Sequence, residues 1–305
     1  MHDLRQLRHF YALAKYCNFA RAAEAVNLSQ PALTRSLQAL ERSLDCRLID
    51  RSPRGDATLT EHGRLVLEHA ERMLAGDRAL KSAVSQLSNL ESGELHVGAG
   101  PYPSATLVPR ALGRLLKRYP RVNQSLLVDN WRCLRDHLLG NRIELYVADI
   151  REVLGDPLLD IEPLHNYPIV LFCNPRHPLL QSAEVGTEQI AGYPIAGTKL
   201  PLHRAISVSR LNNRQPPLSF ECDNFIALQR LVRESDALGL APWDVVTEEV
   251  NAGQLAILSL PKGLLDETSA YGIVTHKGQS LSPAAAVLKD ILREEDKQTH
   301  AHLPG

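Results

Sequence analysis

The chain has 305 residues, of which 44% are hydrophobic, 23% are charged and only 5% are aromatic. This is the balance of a folded globular protein and excludes a disordered, collagenous or disulfide-built chain, while the length predicts two domains. The 34 basic and 35 acidic side chains almost cancel, but residues 1–65 carry a net charge of +3 and the remaining residues a net charge of −4. The asymmetry indicates a basic N-terminal module on a mildly acidic body.

Targeting signals and cysteine usage restrict the class of protein further. No run of about 18 apolar residues occurs, and the N-terminus lacks the pattern of a signal peptide, so we expect a cytoplasmic protein with no membrane partner. The five cysteines are an odd number without close spacing, which predicts reduced, mostly buried thiols and no metal site. They are Cys17, Cys46, Cys133, Cys173 and Cys222.

The first 50 residues predict three short helices. Apolar residues recur at spacings of three and four from Leu4 to Cys17, and an alanine-rich helix follows up to Val26. Ser29 is a candidate cap for the third helix, and Pro31 fits its first turn. That helix buries three leucines and exposes a polar, basic face made of Gln30, Thr34, Arg35 and Gln38.

A small hairpin and a long helix are predicted next. The turn cluster 52–56 lies between short β-capable pieces and would place Arg51 and Arg54 at the hairpin. From Leu59 to about Leu90 no proline occurs, and a heptad seam runs through the segment. A helix of about 45 Å is too long to bury its seam in one small domain, so we predict that it pairs with its copy in a homodimer. Asp77 on this seam either fixes the register or lies at a solvated crossing.

Beyond residue 92 strands and helices alternate, which predicts an α/β architecture with parallel strands. The pattern forms two units, the second of which begins near Pro168, and a last strand and helix follow at 269–275 and 283–293. The polar tail 294–305 is predicted to be mobile. In the first unit the strands are predicted at 95–99, 126–128 and 143–148, and the helices at 104–118 and 133–139. In the second unit we predict strands at 168–173, 193–196 and 237–241, and helices at 202–211, 224–233 and 243–250.

Three short helices with a tight turn before a polar third helix fit a helix-turn-helix. The third helix would enter the major groove of DNA, and the basic hairpin would flank the groove as a wing. The residues support this interpretation: Phe19 to Glu41 (FARAAEAVNLSQPALTRSLQALE) closely resembles the signature of the LysR-type transcriptional regulators. Leu48 to Ser52 and Leu59 to Gly63 resemble the wing and the start of the linker helix of the same family.

The resemblance covers the whole chain, strongly through residue 65 and mainly in architecture beyond residue 95. It implies an α/β protein with a winged helix-turn-helix at 1–58, a dimerising linker helix at 59–91 and an effector-binding domain at 92–305. That domain would be two-lobed, like the periplasmic binding proteins. Lobe I would comprise about 92–166 and 267–298, and lobe II about 167–266.

The resemblance also implies a set of DNA-binding residues. Arginine can bind guanine through two hydrogen bonds or hold phosphate, and glutamine can read adenine. The implied contacts are Gln30, Pro31, Thr34 and Arg35 on the third helix, Gln38 farther along it at phosphate, and Arg51 and Arg54 on the wing.

In the same family a small inducer binds between the lobes. The corresponding segments, 100–104 and 197–204, would present backbone N–H groups at helix starts, which favour an anion such as a carboxylate or phosphate. A basic solvent-exposed turn is the alternative interpretation. Tyr102 between two prolines indicates a stiff entrance. The candidate effector-binding residues are Gly100, Pro101, Tyr102, Ser104, Thr198, Lys199, His203, Arg204, Asn224 and Phe225. The run Ser235 to Pro242 departs from the family's Gly-x-Gly-Ile-x-x-x-Pro.

Enzymatic motifs are missing from the sequence. Gly98-Ala99-Gly100 lacks the third glycine of a dinucleotide fingerprint, and no Walker, Gly-x-Ser-x-Gly or His-Glu-x-x-His pattern occurs. Cys173 and Cys222 lack the close pairing of a redox switch. We therefore predict a cofactor-free, effector-responsive regulator of promoter DNA, with RNA polymerase as a partner and a homotetramer as the family's common assembly. The alternative is a solute-binding or enzymatic α/β protein with a helical oligomerisation domain.

Overall fold

The computed structural model describes residues 3–51, 57–88, 93–182, 185–200, 208–213, 215–261 and 263–301. The chain divides into two compact units, one of residues 1–84 and 140–142 and one of residues 85–139 and 143–305. Across the described ranges, no helix has the length and hydrophobicity needed to cross a lipid bilayer.

The N-terminal unit begins with three helices: α1 (Leu4–Tyr16), α2 (Phe19–Ala25) and α3 (Gln30–Leu44). Asp3 and Asn18 cap the first two helices through their side chains, and Cys17 and Asp45 end α1 and α3 in the left-handed conformation. Ser29 is at the N-cap of α3 but makes no side-chain capping bond, contrary to expectation, and Pro31 lies in the first turn. Local signals therefore set the helix ends.

One hydrophobic core joins these helices. The fully buried alanines of α2 allow close approach, and the core is completed by Phe10, Leu13, Leu33, Leu37 and Leu40.

The predicted hairpin is present as β1 (Ile49–Arg51) and β2 (Ala57–Leu59), which pair antiparallel with Arg51 opposite Ala57. Its tip, residues 52–56 with Arg54, lies outside the described residues. Glu41 of α3 accepts hydrogen bonds from the backbone N–H groups of Leu48 (2.8 Å) and Ile49 (3.3 Å). The wing is thereby attached to the end of the third helix.

The long helix α4 spans Glu61–Ser88. Thr60 begins it: its hydroxyl donates to the Arg47 carbonyl (2.7 Å) and accepts from the Gly63 N–H (2.9 Å). Ala70 and Leu74 are buried in the core of the unit. Several large apolar side chains of α4 remain exposed: Leu65, Met73, Leu80 and Val84.

Asp77 on α4 has a role that neither sequence interpretation anticipated. Its carboxylate accepts hydrogen bonds from Arg8 of α1 and from Lys81 one turn later on α4 (2.9 Å). The Lys81 ammonium, together with the Arg8 guanidinium, lowers the pKa of this carboxyl below its ordinary value. Asp77 thus connects α1 to the linker helix within one chain.

The second unit contains two five-stranded sheets, which define its lobes. The elements of lobe I are β3 (Gly93–Ala99), α5 (Leu107–Arg118), β4 (Val122–Val128), α6 (Trp131–Leu139), β5 (Leu145–Asp149), β6 (Leu159–Pro163), β12 (Tyr271–His276) and α10 (Pro283–Ala301). The strand order is β4-β3-β5-β12-β6, in which β3 runs parallel to β4 and β5, and β12 runs antiparallel to β5 and β6. The predicted parallel sheet is therefore mixed.

Lobe II has the order β11-β7-β10-β8-β9, again with mixed strand directions. The predicted helix at 243–250 is a 3-10 turn at Trp243–Val245 followed by a short α-helix. Of the predicted helix 202–211, residues 202–207 lie outside the described residues and residues 208–211 are helical. The other elements of lobe II are β7 (Ile169–Cys173), α7 (Thr187–Ala191), β8 (Ile195–Gly197), β9 (Phe220–Glu221), α8 (Phe225–Arg233), β10 (Leu238–Pro242), α9 (Thr247–Asn251) and β11 (Ala256–Ile257).

Two further predictions are wrong, one about the C-terminal tail and one about the cysteines. The polar tail is not mobile through its length, because α10 continues to Ala301 and buries Asp296, whose carboxylate accepts from His165 and from the Tyr167 hydroxyl (2.9 Å). The cysteines are not mostly buried, since Cys173 is buried, Cys17 is exposed and the other three are intermediate. Burial raises the pKa of the Cys173 thiol to about 12, so this thiol is unreactive.

The chain crosses between the lobes twice, and the two crossing segments hold each other. The Ser269 N–H donates to the Tyr167 carbonyl (2.7 Å), and the Tyr167 N–H donates to the Ser269 hydroxyl (2.9 Å). The Trp243 N–H, at the end of β10, donates to the carbonyl of Pro168 (2.8 Å). The crossing is therefore a compact hydrogen-bonded hinge beside the start of the 3-10 turn.

Candidate DNA interface and effector cleft

The outer face of α3 carries the residues predicted to contact DNA. Gln30, Pro31, Arg35 and Gln38 are exposed and Thr34 is half-buried, while Leu33, Leu37 and Leu40 fill the core on the opposite face. Residues 30, 34 and 38 follow one another at intervals of four and form a single row along the helix. A polar strip of this length can enter a major groove.

Contacts behind α3 hold this face in place. His9 Nδ1 of α1 lies 2.7 Å from the Ser36 hydroxyl of α3. Burial, and then the positive charge of Arg5, lower the pKa of His9, which favours the neutral ring at this contact. Ser36 is next to Arg35, so α1 supports the helix directly behind the residue expected to read the base edges.

The wing residues are placed less fully. Arg51 ends β1, and nothing is described of its side chain, while Arg54 lies outside the described residues. Arg21 of α2, which was not predicted from the sequence, is exposed, and its guanidinium lies 5.7 Å from the centre of the Tyr16 ring. The spacing of an exposed arginine four or five residues after a tyrosine could have predicted this contact. The spacing is a weak signal.

Tyr102, Thr198 and Phe225 come together between the lobes. The Tyr102 hydroxyl donates to the Leu240 carbonyl of lobe II (3.0 Å) and accepts from the Thr198 hydroxyl (3.1 Å). Its ring contacts Phe225 edge-on, with 5.4 Å between the ring centres. A side chain of lobe I thus fills the polar and aromatic centre of the predicted cleft.

The turn from Gly100 to Ser104 does not present the free donors that the sequence analysis expected. The Gly100 N–H donates to the Val147 carbonyl (2.8 Å), the Ser104 N–H donates to the Gly100 carbonyl (3.0 Å), and the Ser104 hydroxyl donates to the Pro101 carbonyl (2.8 Å). Helix α5 begins only at Leu107. These groups stabilise the turn that carries Tyr102, and the premise of an anion bound by their N–H groups is wrong.

On the side of lobe II, the exposed Lys199 has a neighbour that sequence reasoning missed. Its backbone N–H donates to the carboxylate of Asp223 (3.1 Å). Asn224 caps α8 by accepting from the Ala227 N–H (3.1 Å), so its side chain is structural. His203 and Arg204 lie outside the described residues.

The run that departs from the family pattern, Ser235 to Pro242, ends in β10, in which every residue from Leu238 to Pro242 is buried. A Cβ atom on Gly239 would lie 2.1 Å from the Phe172 ring, so this glycine is required by close packing. Phe172 in turn packs against the same cluster as Phe225. The strand that supplies the Leu240 carbonyl is therefore rigidly placed.

One further ion pair joins the lobes, and a buried carboxyl lies near the hinge. Arg110 of α5 forms an ion pair with Glu248 of α9. Asp244, in the 3-10 turn after β10, is only 6% exposed, and its Oδ1 has no hydrogen-bond partner within the described part of the chain. Burial raises the pKa of Asp244 to about 7, with Asp296 adding to the rise and Arg110 opposing it.

A basic helix-turn-helix head with a wing, a long helix and a two-lobed body define a DNA-binding regulator with a ligand-binding domain. The family model for the LysR substrate binding domain matches residues 88–297, and that for the bacterial regulatory helix-turn-helix protein, lysR family, matches residues 4–64. The chain belongs to the LysR family of transcriptional regulators. The predicted regulator is confirmed, and the solute-binding or enzymatic alternative is set aside because the relatives are transcriptional regulators.

One curated relative is similar over nearly the whole chain. The SDS degradation transcriptional activation protein of Pseudomonas sp. (strain ATCC 19151) is 56% identical over 301 residues, which cover 98% of both chains. A probable RuBisCO transcriptional regulator of Chlorokybus atmophyticus is 25% identical over 92% of this chain and 91% of its own.

Solved structures share the fold. The LysR family regulator CbnR has a TM-score of 0.70 at 20% identity, over 96% of this chain and 99% of CbnR. Full-length CbnR complexed with its target DNA has a TM-score of 0.71 at 20% identity, with the same coverage of both chains. A full-length variant of OxyR from Pseudomonas aeruginosa has a TM-score of 0.64 at 19% identity, over 96% of this chain and 95% of OxyR.

Proposed function

We propose that this protein activates genes for the degradation of an alkyl sulfate or a related amphiphile in response to a small molecule bound between its lobes. The observation that carries the proposal is the 56% identity, over 98% of both chains, to an activator of SDS degradation. Identity at this level over both units supports a common DNA target class and a common effector class.

We propose that the head acts on DNA through α3 and the wing. The residues assigned to DNA are Gln30, Pro31, Thr34, Arg35, Gln38, Arg51 and Arg54, and the exposed face of α3 supports the first five. The functional division would be a head at 1–58, a linker at 59–91 and an effector domain at 92–305.

The assembly we propose is a homodimer through α4 that forms a homotetramer and contacts RNA polymerase. The exposed apolar side chains Leu65, Met73, Leu80 and Val84 support pairing of α4 with a second copy.

The effector is assigned to the cleft between the lobes. We propose that Tyr102, Thr198 and Phe225 form its centre, with the turn Gly100, Pro101 and Ser104 on one side and Lys199 and Asn224 on the other. His203 and Arg204, which lie outside the described residues, remain proposed contacts of the effector. Exposed Lys199 lies on the lobe II side of this site, and its backbone N–H donates to the Asp223 carboxylate (3.1 Å).

Arg35→Ala is expected to weaken binding to the protein's own promoter region by about 10- to 100-fold, because a side chain that contacts base edges is lost. Fluorescence anisotropy with labelled promoter DNA at two salt concentrations measures the affinity. Arg132→Ala, which removes an exposed arginine from α6, is the matched control and should leave DNA affinity unchanged. An Arg35→Ala variant that binds the promoter as tightly as the wild type contradicts the assignment of α3.

Activation is tested with a promoter–reporter fusion in cells with and without the protein. Addition of an alkyl sulfate should raise reporter expression only when the protein is present. Higher expression after deletion of the gene would identify a repressor instead.

A further inference from the structure

We propose that Tyr102 is an internal occupant of the effector cleft and that the effector acts by replacing the Tyr102 hydroxyl with a neutral hydroxyl group of its own. The inference rests on the proposed function, since hydrolysis of an alkyl sulfate by water releases hydrogen sulfate and a long-chain alcohol. The chemical class of ligand is thus a hydroxyl-bearing amphiphile rather than an anion.

The polar centre of the cleft is built for a hydroxyl. Leu240 offers a carbonyl oxygen, which can only accept a hydrogen bond, while the Thr198 hydroxyl donates, and one oxygen atom satisfies both at 3.0 and 3.1 Å. Thr198 is 6% exposed and Leu240 is buried, so water poorly replaces the hydrogen bonds that the Thr198 hydroxyl and the Leu240 carbonyl lose when the Tyr102 hydroxyl leaves. An alcohol both donates and accepts and can satisfy both groups.

An anion fits the same place poorly. A sulfate or carboxylate oxygen only accepts hydrogen bonds, so it would face the Leu240 carbonyl with no proton between the two oxygens. The Gly100 N–H donates to the Val147 carbonyl of β5, the Ser104 N–H donates to the Gly100 carbonyl, and the Lys199 N–H donates to the Asp223 carboxylate. An anionic ligand would have to break these bonds and approach a negative charge.

The surroundings of the hydroxyl fit an alkyl chain. The Tyr102 ring packs against a buried cluster that includes Phe172, Ala196, Phe225 and Ala241. Displacement of the ring from this cluster uncovers apolar surface, and an alkyl chain covers such surface again at a gain of roughly 25 cal/mol per Å². A ligand with one hydroxyl and one alkyl chain therefore replaces both parts of the Tyr102 side chain.

The replacement would change how the lobes are held together. Tyr102 belongs to the first turn of lobe I, whereas Thr198 and Leu240 belong to lobe II. The internal hydroxyl connects the lobes in the absence of ligand, and a ligand hydroxyl satisfies lobe II without that connection. Because the ligand interacts differently with the two arrangements, its binding shifts the balance between them.

Calorimetric titration of the full-length protein with 1-decanol and with decyl sulfate, both below aggregation concentrations, tests the proposal. The wild type should bind 1-decanol. Any binding of decyl sulfate should be equally strong in the wild type and in Thr198→Val. Tyr102→Phe keeps the ring and removes the competing hydroxyl, so it should bind 1-decanol about 5- to 10-fold more tightly.

Thr198→Val removes the hydroxyl that donates and should weaken the binding of 1-decanol by a similar factor. In the double variant, Tyr102→Phe should increase the affinity for 1-decanol by a smaller factor than it does alone. Tyr119→Phe, the same substitution outside the cleft, is the control and should bind as the wild type does. The proposal is overturned if Tyr102→Phe and the wild type bind 1-decanol equally, if decyl sulfate is preferred irrespective of Thr198, or if neither amphiphile binds. Promoter affinity and reporter activation test the proposed function separately, and these results leave it intact.

Discussion

Gly63→Ala is expected to lower the DNA affinity at least about 10-fold and to destabilise the N-terminal unit by about 2 kcal/mol. A Cβ atom at this position would lie 2.1 Å from the carbonyl oxygen of Leu48 and 3.1 Å from its carbonyl carbon. Both are backbone atoms that precede β1, so relief requires α4 or the wing to move. Such a movement also disturbs the Thr60 hydroxyl, which joins Arg47 to the Gly63 N–H.

Promoter binding by anisotropy and thermal unfolding by calorimetry measure the two effects, and the transition of the N-terminal unit should fall by about 10 °C. Gly76→Ala is the matched control on the same helix, because a Cβ atom there meets nothing within 4 Å. Helix propensity should then make that variant more stable by up to about 1 kcal/mol. If both variants behave alike, close packing at Gly63 is not the reason for a glycine in this place.

The N-terminal unit follows closely from local sequence signals. Caps, apolar spacing and Pro31 specify α1 to α3 within a few residues, because each signal acts within one or two helical turns. The connection made by Asp77 was not predicted, since Arg8 is 69 positions away. The position of Asp77 on the heptad seam could not show whether its carboxylate pairs within the chain or with a second copy of the chain.

The second unit shows the same division between local and long-range information. The error about the tail arose because α10 is kept helical and packed by contacts such as that between His165 and Asp296, 131 positions apart. The short edge strand β6 was not predicted. The antiparallel direction of β12 follows from the path of the chain between the lobes, and hydrophobic periodicity carries no information about that path.

In the cleft, the sequence predicted Tyr102, Thr198 and Phe225 as effector-binding residues, Tyr102 because two prolines flank it, and the structure places these three side chains together. The Leu240 carbonyl was not predicted because a backbone acceptor has no side-chain signature. Free N–H groups were expected at Gly100 and Ser104 on the assumption that a helix begins there. In the structure the Ser104 N–H donates to the Gly100 carbonyl within the turn, and the Gly100 N–H donates to the Val147 carbonyl of β5.

Asp244→Asn is expected to stabilise the protein at pH 8 and to flatten the dependence of its stability on pH. Burial raises the pKa of Asp244 from its ordinary 3.8 to about 7. Between about pH 4 and pH 7 the folded protein therefore keeps a proton that the unfolded chain releases, and the free energy of unfolding falls as the pH rises through this window. The groups that face this carboxyl are Asp296 of α10, Arg110 of α5 and Tyr167 of the crossing segment.

Calorimetry of the wild type and the variant at pH 5 and pH 8 measures the effect. At pH 5 the wild-type carboxyl is protonated, so the two melting temperatures should differ little, whereas at pH 8 the variant should melt about 5 °C higher. Asp160→Asn removes the same charge from an exposed position of β6 and should not reproduce this pH dependence. An equal shift at both pH values would mean that the amide acts through packing. Asp244 is next in the chain to Trp243, whose N–H donates to the Pro168 carbonyl at the hinge. A difference in melting temperature confined to high pH would therefore mean that the ionised Asp244 carboxylate destabilises the protein beside the hinge between the lobes.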